Sequence, residues 1–188
     1  MGKNLLTILL SLYDKNTYAH VCRVAYYANE IGKQLNLSIS EMNLLFYSSL
    51  LHDIGKIFIP VNLLEKKEKL TKEEYQLLQH HVEFGYSLLP ESMMDIKKII
   101  VSHHERLDGS GYPYHKTEKE IPKLSKIIAI ADSYDAMTSN RFYNQVKTEK
   151  EAMEELLNNT DYYGNNKYNF SYVTAFHQSM KKKQYVKK

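Results

Sequence analysis

What most limits the fold of this chain is its shortage of backbone punctuation. Its 188 residues include only 7 Gly and 4 Pro. That is too few to turn a many-stranded sheet, and the long breaker-free stretches favour helices. The length suits one well-buried domain and is short for two. With 43% hydrophobic and 25% charged residues, wholesale disorder and a fibrous repeat are excluded. No internal repeat or linker composition divides the chain. The expectation is an all-α protein with a short N-terminal helix (1–13), one helical domain (14–183) and a basic C-terminal tail (184–188).

Apolar residues follow helical spacing almost throughout. A first helix covers roughly residues 3 to 13. A second runs from about Thr17 to Leu35, with Val21, Val24, Ala25, Ala28, Ile31 and Leu35 on one face. Ser40 is a plausible N-cap for a helix from Glu41 to about Asp53. Ile57 to Pro60 reads as extended, because proline disfavours helix at the residue before it. Thr71-Lys72-Glu73-Glu74 is a capping box opening a helix to about Leu88. Further helices are expected from Met93 to Arg106, Lys123 to Ser139, Glu149 to Asn158 behind a second capping box at Thr148, and Ser171 to Lys183. Between Leu107 and Pro122 lies a loop of functional length.

A net charge of +3 permits an anionic small-molecule ligand but is too weak and scattered for a nucleic-acid polymer surface. One cysteine, Cys22, excludes an internal disulfide framework and fits a reducing cytoplasm. No stretch approaches the roughly 20 apolar residues of a membrane-spanning helix. The run from Leu5 to Leu12 after Lys3 has the outline of a weak secretion signal, but a first helix packed on the domain is the preferred reading.

Of 8 histidines, His20, His52, His80, His81, His103 and His104 form the pattern that carries chemistry. His52-Asp53 at a helix end pairs imidazole nitrogen with carboxylate oxygen, a donor set suited to Fe, Mn, Zn, Co or Ni. The two could serve one ion, Asp53 could bridge two, or Asp53 could simply bind a nearby amide. His103-His104 places two imidazoles just before the glycine-rich loop. His20 and Asp132 lie in apolar helices, where an unpartnered polar group is costly. Taken singly, each could be a hydrogen-bonded core residue; together they point to a metal site. In the loop Asp108-Gly109-Ser110-Gly111-Tyr112-Pro113, glycines let backbone amides approach an anion and Tyr112 offers a stacking face. Of 16 tyrosines, Tyr112 and Tyr134 have a positional reason to face a substrate. His115 and His177 read as surface residues and Cys22 as a small buried hydrophobe.

These residues together resemble the HD-GYP phosphodiesterase family. The match runs through His52-Asp53-Ile54-Gly55-Lys56, Ile59-Pro60, Leu70-Thr71, Glu73-Glu74, His81 with Gly85, and His103 to Pro113. It closes with Ile121-Pro122, Ala131 to Ser139, and Arg141, and covers about residues 14 to 157. The resemblance implies a helical HD domain with the metal site in its core. The activity it implies is metal-dependent hydrolysis of cyclic di-GMP to linear pGpG, GMP or both, by in-line attack of a metal-bridging hydroxide. Carried over by position, His20, His52, Asp53 and Asp132 form one metal set. His81, His103 and His104 form the second, with Asp53 bridging, which leaves His80 a bystander. The implied cofactor is a binuclear divalent centre, Fe or Mn first, with Zn, Co and Ni also suited. Lys56 and Asp53 are the implied catalytic residues, and Gly111, Tyr112, Pro113 and Arg141 the implied substrate contacts. The same loop is where a protein partner is compatible with the resemblance.

The chain departs from the family pattern in several places. Asn16 stands where some members carry a glutamate for a third metal, so two metals are expected. Phe142, Tyr143 and Asn144 follow Arg141 where Pro, Tyr and a basic residue are usual. Asn140 replaces a common acid, and Asn169-Phe170-Ser171 replaces Phe-Asp-Pro. Rival readings are a phosphodiesterase for 3′,3′-cyclic GMP-AMP, a cyclic-dinucleotide receptor without turnover, and a general HD nucleotidase. The intact metal set argues against the receptor, and the GYP loop with His103-His104 against the nucleotidase.

Overall fold

The computed structural model describes residues 8, 10–139, 146–160, 162 and 167–186. Its helices are α1 (Lys15–Gln34), α2 (Ile39–Leu51), α3 (Val61–Leu64), α4 (Lys72–Gln79), α5 (His81–Leu88), α6 (Met94–Ile100), α7 (Lys123–Thr138), α8 (Glu149–Asn158) and α9 (Phe170–Val186). Two 3-10 turns, Ile54–Phe58 and Glu91–Met93, complete the order. Among the described residues β pairing is limited to two isolated bridges, Asp108 with Thr117 and Thr160 with Tyr168. The all-α expectation holds. No helix among the described residues is long and apolar enough to cross a membrane.

Several helix starts are set by side-chain caps. Asp14 accepts from the amides of Asn16 and Thr17 and opens α1. Thr71 and Thr148 form the expected capping boxes with Glu74 and Glu151. For α2 the cap is Ser38, boxed with Glu41, rather than Ser40. The spacing of a capping box requires the acid three residues after the cap, which Ser38 satisfies and Ser40 does not. Asn169 accepts from the Tyr172 amide at 3.3 Å at the start of α9, which runs on to Val186.

Three helices end sooner than apolar periodicity suggests. α2 stops at Leu51 and the chain tightens into the 3-10 turn, so only Ile59 of the expected extended stretch has extended backbone. The segment 71–88 is two helices, broken at His80–His81. α6 stops at Ile100 and continues to Glu105 through i→i−3 bonds. The early first helix falls mostly outside the described residues, but Leu10 and Tyr13 pack on the domain and Tyr13 Oη donates to the Leu50 carbonyl at 3.2 Å.

The main core joins α1, α2, α7, α8 and α9 through Val24, Ile31, Leu45, Ile127, Tyr134, Leu156 and Phe176. A second cluster, Leu51, Ile54, Leu89, Ile96 and Ile100, packs the 3-10 turn against α5 and α6. Tyr134 is wholly buried, edge-on to Tyr27 and Phe176. It is a core residue and not the substrate-facing tyrosine its motif position suggested. Cys22 is half-buried beside Val21, Ala25 and Leu50.

One close approach sets the geometry of this second cluster. A Cβ added at Gly55 would stand 1.9 Å from the His81 carbonyl oxygen and 2.5 Å from the Gly85 amide nitrogen. The start of α5 lies directly on the backbone of the 3-10 turn. At Gly32 an added Cβ would instead meet side-chain atoms only, Met42 Sδ at 2.7 Å and Leu37 Cδ1 and Leu45 Cδ2 at 3.1 Å. Gly55→Ala should therefore destabilise the protein by about 3 kcal/mol. Gly32→Ala should stay within about 1 kcal/mol of the parent, since the helix propensity gained offsets the side-chain shift. Denaturant unfolding of both variants checks the contrast, and equal effects would contradict it.

Candidate metal centre

Five segments converge on one buried polar cluster. His20 comes from the second turn of α1, His52 and Asp53 from the end of α2, and His81 from the start of α5. His103 and His104 come from the turn after α6, and Asp132 from α7. Asp53 lies at the middle. Its Oδ2 is 3.4 Å from His20 Nε2, 3.5 Å from His52 Nε2 and 2.6 Å from Lys56 Nζ, and its Oδ1 is 3.4 Å from His81 Nε2. Asp132 Oδ1 is 3.2 Å from His20 Nε2, and Asp132 Oδ2 is 4.0 Å from His104 Nδ1. His80 points outward and pairs with Glu83.

Three imidazoles are oriented alike. Nδ1 of His52, His81 and His103 lies 2.7, 2.7 and 2.5 Å from the carbonyl oxygens of Ser49, Leu78 and Ile100. A carbonyl only accepts, so each Nδ1 carries the proton and each Nε2 a lone pair. All three Nε2 atoms are buried without a hydrogen-bond partner. Two of them face Asp53 oxygens, which are also acceptors. Unpaired lone pairs converging on a carboxylate in a dry site are costly, and a cation between them removes the conflict. The donor set therefore fits divalent metal. The donor atoms fall into three overlapping groups, His20/His52/Asp132, His81/His103/His104 and His52/Asp53/His103, each spanning no more than 4.8 Å.

Electrostatics agree with neutral imidazoles around ionised carboxylates. Burial lowers His81 to about 4 and holds His52, His103 and His104 below their ordinary value. Burial opposes ionisation of Asp53, but Lys56 and the surrounding histidines hold its carboxyl well below the usual range. Asp132 is likewise held low against burial, chiefly by His20. His20 behaves differently. Burial disfavours its charge, yet hydrogen bonds to Asp132, Asp135 and Asp53 raise it to about 10.

Two further buried acids of the motif, Asp135 and Glu105, have defined structural tasks. Asp135 accepts from His20 Nδ1 at 2.7 Å and from Arg23 Nε and Nη2 at 2.6 and 3.0 Å. Its position three residues after Asp132 on one helix face was the available signal. Glu105 accepts from the amides of Tyr114 and Lys116 at 2.8 and 3.0 Å and so ties down the glycine-rich loop. A Cβ at Gly111 would stand 2.4 Å from both Glu105 Cα and the His104 carbonyl oxygen, so the loop lies against the His104–Arg106 backbone. Tyr112 thereby stacks on the His104 ring, with centroids 4.6 Å apart and planes at 26°. Pro113 follows, half-buried.

The centre opens where Lys56, His104 and Asp132 keep 20, 18 and 11% of their side chains exposed. Arg141, and with it Asn140, Phe142, Tyr143 and Asn144, lies outside the described residues. Asn16 is exposed one turn before His20. His115 is exposed and His177 half-buried.

The HD domain family profile matches residues 4–166, and the chain belongs to that family. Its relatives and its Gly111-Tyr112-Pro113 loop set it in the HD-GYP branch. It is 40% identical over 148 residues to the 3′3′-cGAMP-specific phosphodiesterase 2 of Vibrio cholerae, covering 77% of this chain and 28% of that protein. It is 38% identical over 156 residues to a cyclic di-GMP phosphodiesterase of Thermotoga maritima, covering 81% of this chain and 42% of that protein. The match thus spans well under half the length of either curated relative. The fold also resembles that of an HDG"Y"P protein from Bdellovibrio bacteriovorus, with a TM-score of 0.70 at 21% identity over 86% of this chain and 51% of that one.

The buried histidines give the metal-free protein a definite acid sensitivity. His81 drops from 6.5 to about 4 on folding, and His52, His103 and His104 also fall. Between about pH 6.5 and 4 the unfolded chain binds protons that the folded sites refuse, so stability falls as pH falls. His20 acts in the opposite sense, with its stabilisation complete below its ordinary 6.5 and lost as pH rises towards 10. The denaturant midpoint of metal-free protein should therefore be lower at pH 5 than at pH 7. Equal midpoints would contradict the buried neutral imidazoles.

Proposed function

We propose that this chain is the catalytic domain of a metal-dependent phosphodiesterase that cleaves cyclic di-GMP to linear pGpG, GMP or both. The observation that carries the reading is the trio of buried, unpartnered Nε2 atoms of His52, His81 and His103 arranged around Asp53. In this reading His20, His52, Asp53 and Asp132 hold one divalent cation and His81, His103 and His104 hold the second, with Asp53 shared. Iron and manganese suit the mixed imidazole and carboxylate donors, and Zn, Co and Ni remain compatible. Such a pair, when bound, supplies Lewis acidity to a phosphodiester oxygen and activates water at neutral pH.

The rest of the chemistry falls to the protein. Asp53 fixes the spacing between the two sets and is kept ionised by Lys56. The Lys56 ammonium, partly exposed at the mouth, stabilises negative charge developing on the phosphate. Gly111 holds the loop down, while Tyr112 and Pro113 line the approach on the His104 side. Arg141 completes the proposed substrate contacts from outside the described residues. The single cysteine supports a cytoplasmic location. The exposed loop tip at Ser110, Tyr114 and His115 is the surface this reading offers a protein partner. A second substrate, 3′,3′-cyclic GMP-AMP, is favoured by the Vibrio cholerae relative.

Anaerobic purification, a metal count, and parallel assays of both cyclic dinucleotides with Fe(II) and Mn(II) test the proposal. About two metals per chain and release of pGpG or GMP are expected, and metal without product from either substrate would overturn it. His52→Ala combined with Asp53→Ala should abolish turnover and most metal binding while the helical circular dichroism signal persists. Lys56→Ala should keep its metal and lose about 100-fold in kcat; an unchanged rate removes Lys56 from the mechanism.

A further inference from the structure

A cyclic dinucleotide presents two purine bases as well as its phosphates, and the metal-centre residues account only for the phosphates. Next to the mouth stands an aromatic side chain that the centre does not use. Tyr75, on α4, is 49% exposed. Its ring meets Tyr112 edge-on, with centroids 6.4 Å apart and planes at 78°. Tyr112 in turn lies on His104. Tyr75 therefore extends the aromatic wall of the mouth outwards from the metal centre.

The fold does not need this ring where it is. Tyr75 belongs to none of the three buried clusters. Among the described residues its hydroxyl takes part in no hydrogen bond. None of the residues of the helix carrying it is buried, but its first turn is tied down. Thr71 and Glu74 box its first turn, and Lys66 Nζ holds both Glu74 oxygens at 2.6 Å. The perpendicular contact with Tyr112, one of the two favoured aromatic geometries, sets the plane of the ring. An exposed aromatic face held in orientation beside a phosphate-binding centre is suited to a nucleobase.

We propose that Tyr75 is a base-stacking residue that receives one purine of the cyclic dinucleotide, a proposal that rests on the phosphodiesterase reading above. Stacking tolerates any base, because each has a π face. Tyr75 therefore adds affinity for guanine and adenine alike, and does not choose between cyclic di-GMP and cyclic GMP-AMP.

The test compares two ligands that share a phosphate and differ in the base. Mn(II)-loaded full chain is titrated calorimetrically with GMP and with ribose 5-phosphate. The parent should bind GMP roughly tenfold more tightly. Tyr75→Leu should bring GMP down to the ribose 5-phosphate level, leave ribose 5-phosphate and metal content unchanged, and raise KM for the cyclic dinucleotide about tenfold at constant kcat. Tyr75→Phe should retain the parent values. An undiminished preference for GMP in Tyr75→Leu overturns the proposal, because the base then binds elsewhere. Equal loss of both ligands also overturns it, since Tyr75 then acts by supporting Tyr112. If neither ligand binds the metal-loaded parent, the phosphodiesterase reading fails and this proposal fails with it.

Discussion

The buried Asp53 carboxylate is the charge around which the rest of the molecule is arranged. A carboxylate with 1% of its surface exposed needs compensating charge or hydrogen bonds. Here Lys56 and a protonated His20 supply it, while His52 and His81 bring lone pairs towards the same oxygens. That balance is complete only with further positive charge between the nitrogens and the oxygens. The close seat of α5 on Gly55 follows from the same need, because it is what brings His81 within reach of Asp53.

The structure solves one orientation problem three times by the same means. The last carbonyls of a helix lack the amide four residues on that would close an α-helical hydrogen bond. Ser49, Leu78 and Ile100 are such residues at the ends of α2, α4 and α6, and each accepts from a histidine three positions on. A helix end thus fixes the tautomer and aims Nε2 inwards without a dedicated side chain. The helices must stop where they do for this to work.

That explains both what was legible in the sequence and what was not. The all-α class, the capping boxes at Thr71 and Thr148, and the exposed position of His80 all followed from spacing and motif. The three helices extended too far, 41–53, 71–88 and 93–106, are the three whose terminal carbonyls accept from these histidines. Apolar periodicity continues through each break, so nothing local marks the stop; the reason lies in contacts with residues distant in sequence. Tyr134 was misread for a related cause. Motif position placed it two residues after Asp132, but two residues along a helix turn a side chain by about 200°, and it faces Tyr27 and Phe176 instead. Glu105 could be seen in the sequence only as a motif letter, because its task is to accept amides from a loop nine and eleven residues later.

His20 is the exception that clarifies the rule. It lies inside α1, in its second turn, where the carbonyls are taken up by helical hydrogen bonds. Its Nδ1 therefore needs an acceptor from another element, and α7 supplies the Asp135 carboxylate, itself held by Arg23 and Ser139. A carboxylate partner makes an imidazole more basic than a carbonyl partner does, in keeping with His20 being raised to about 10 while His81 is lowered to about 4. The pair Asp132 and Asp135 thus divides one histidine between them. Asp132 approaches the nitrogen that faces the centre, and Asp135 fixes the one that faces away. A three-residue interval on one helix face is the spacing that allows a single helix to do both.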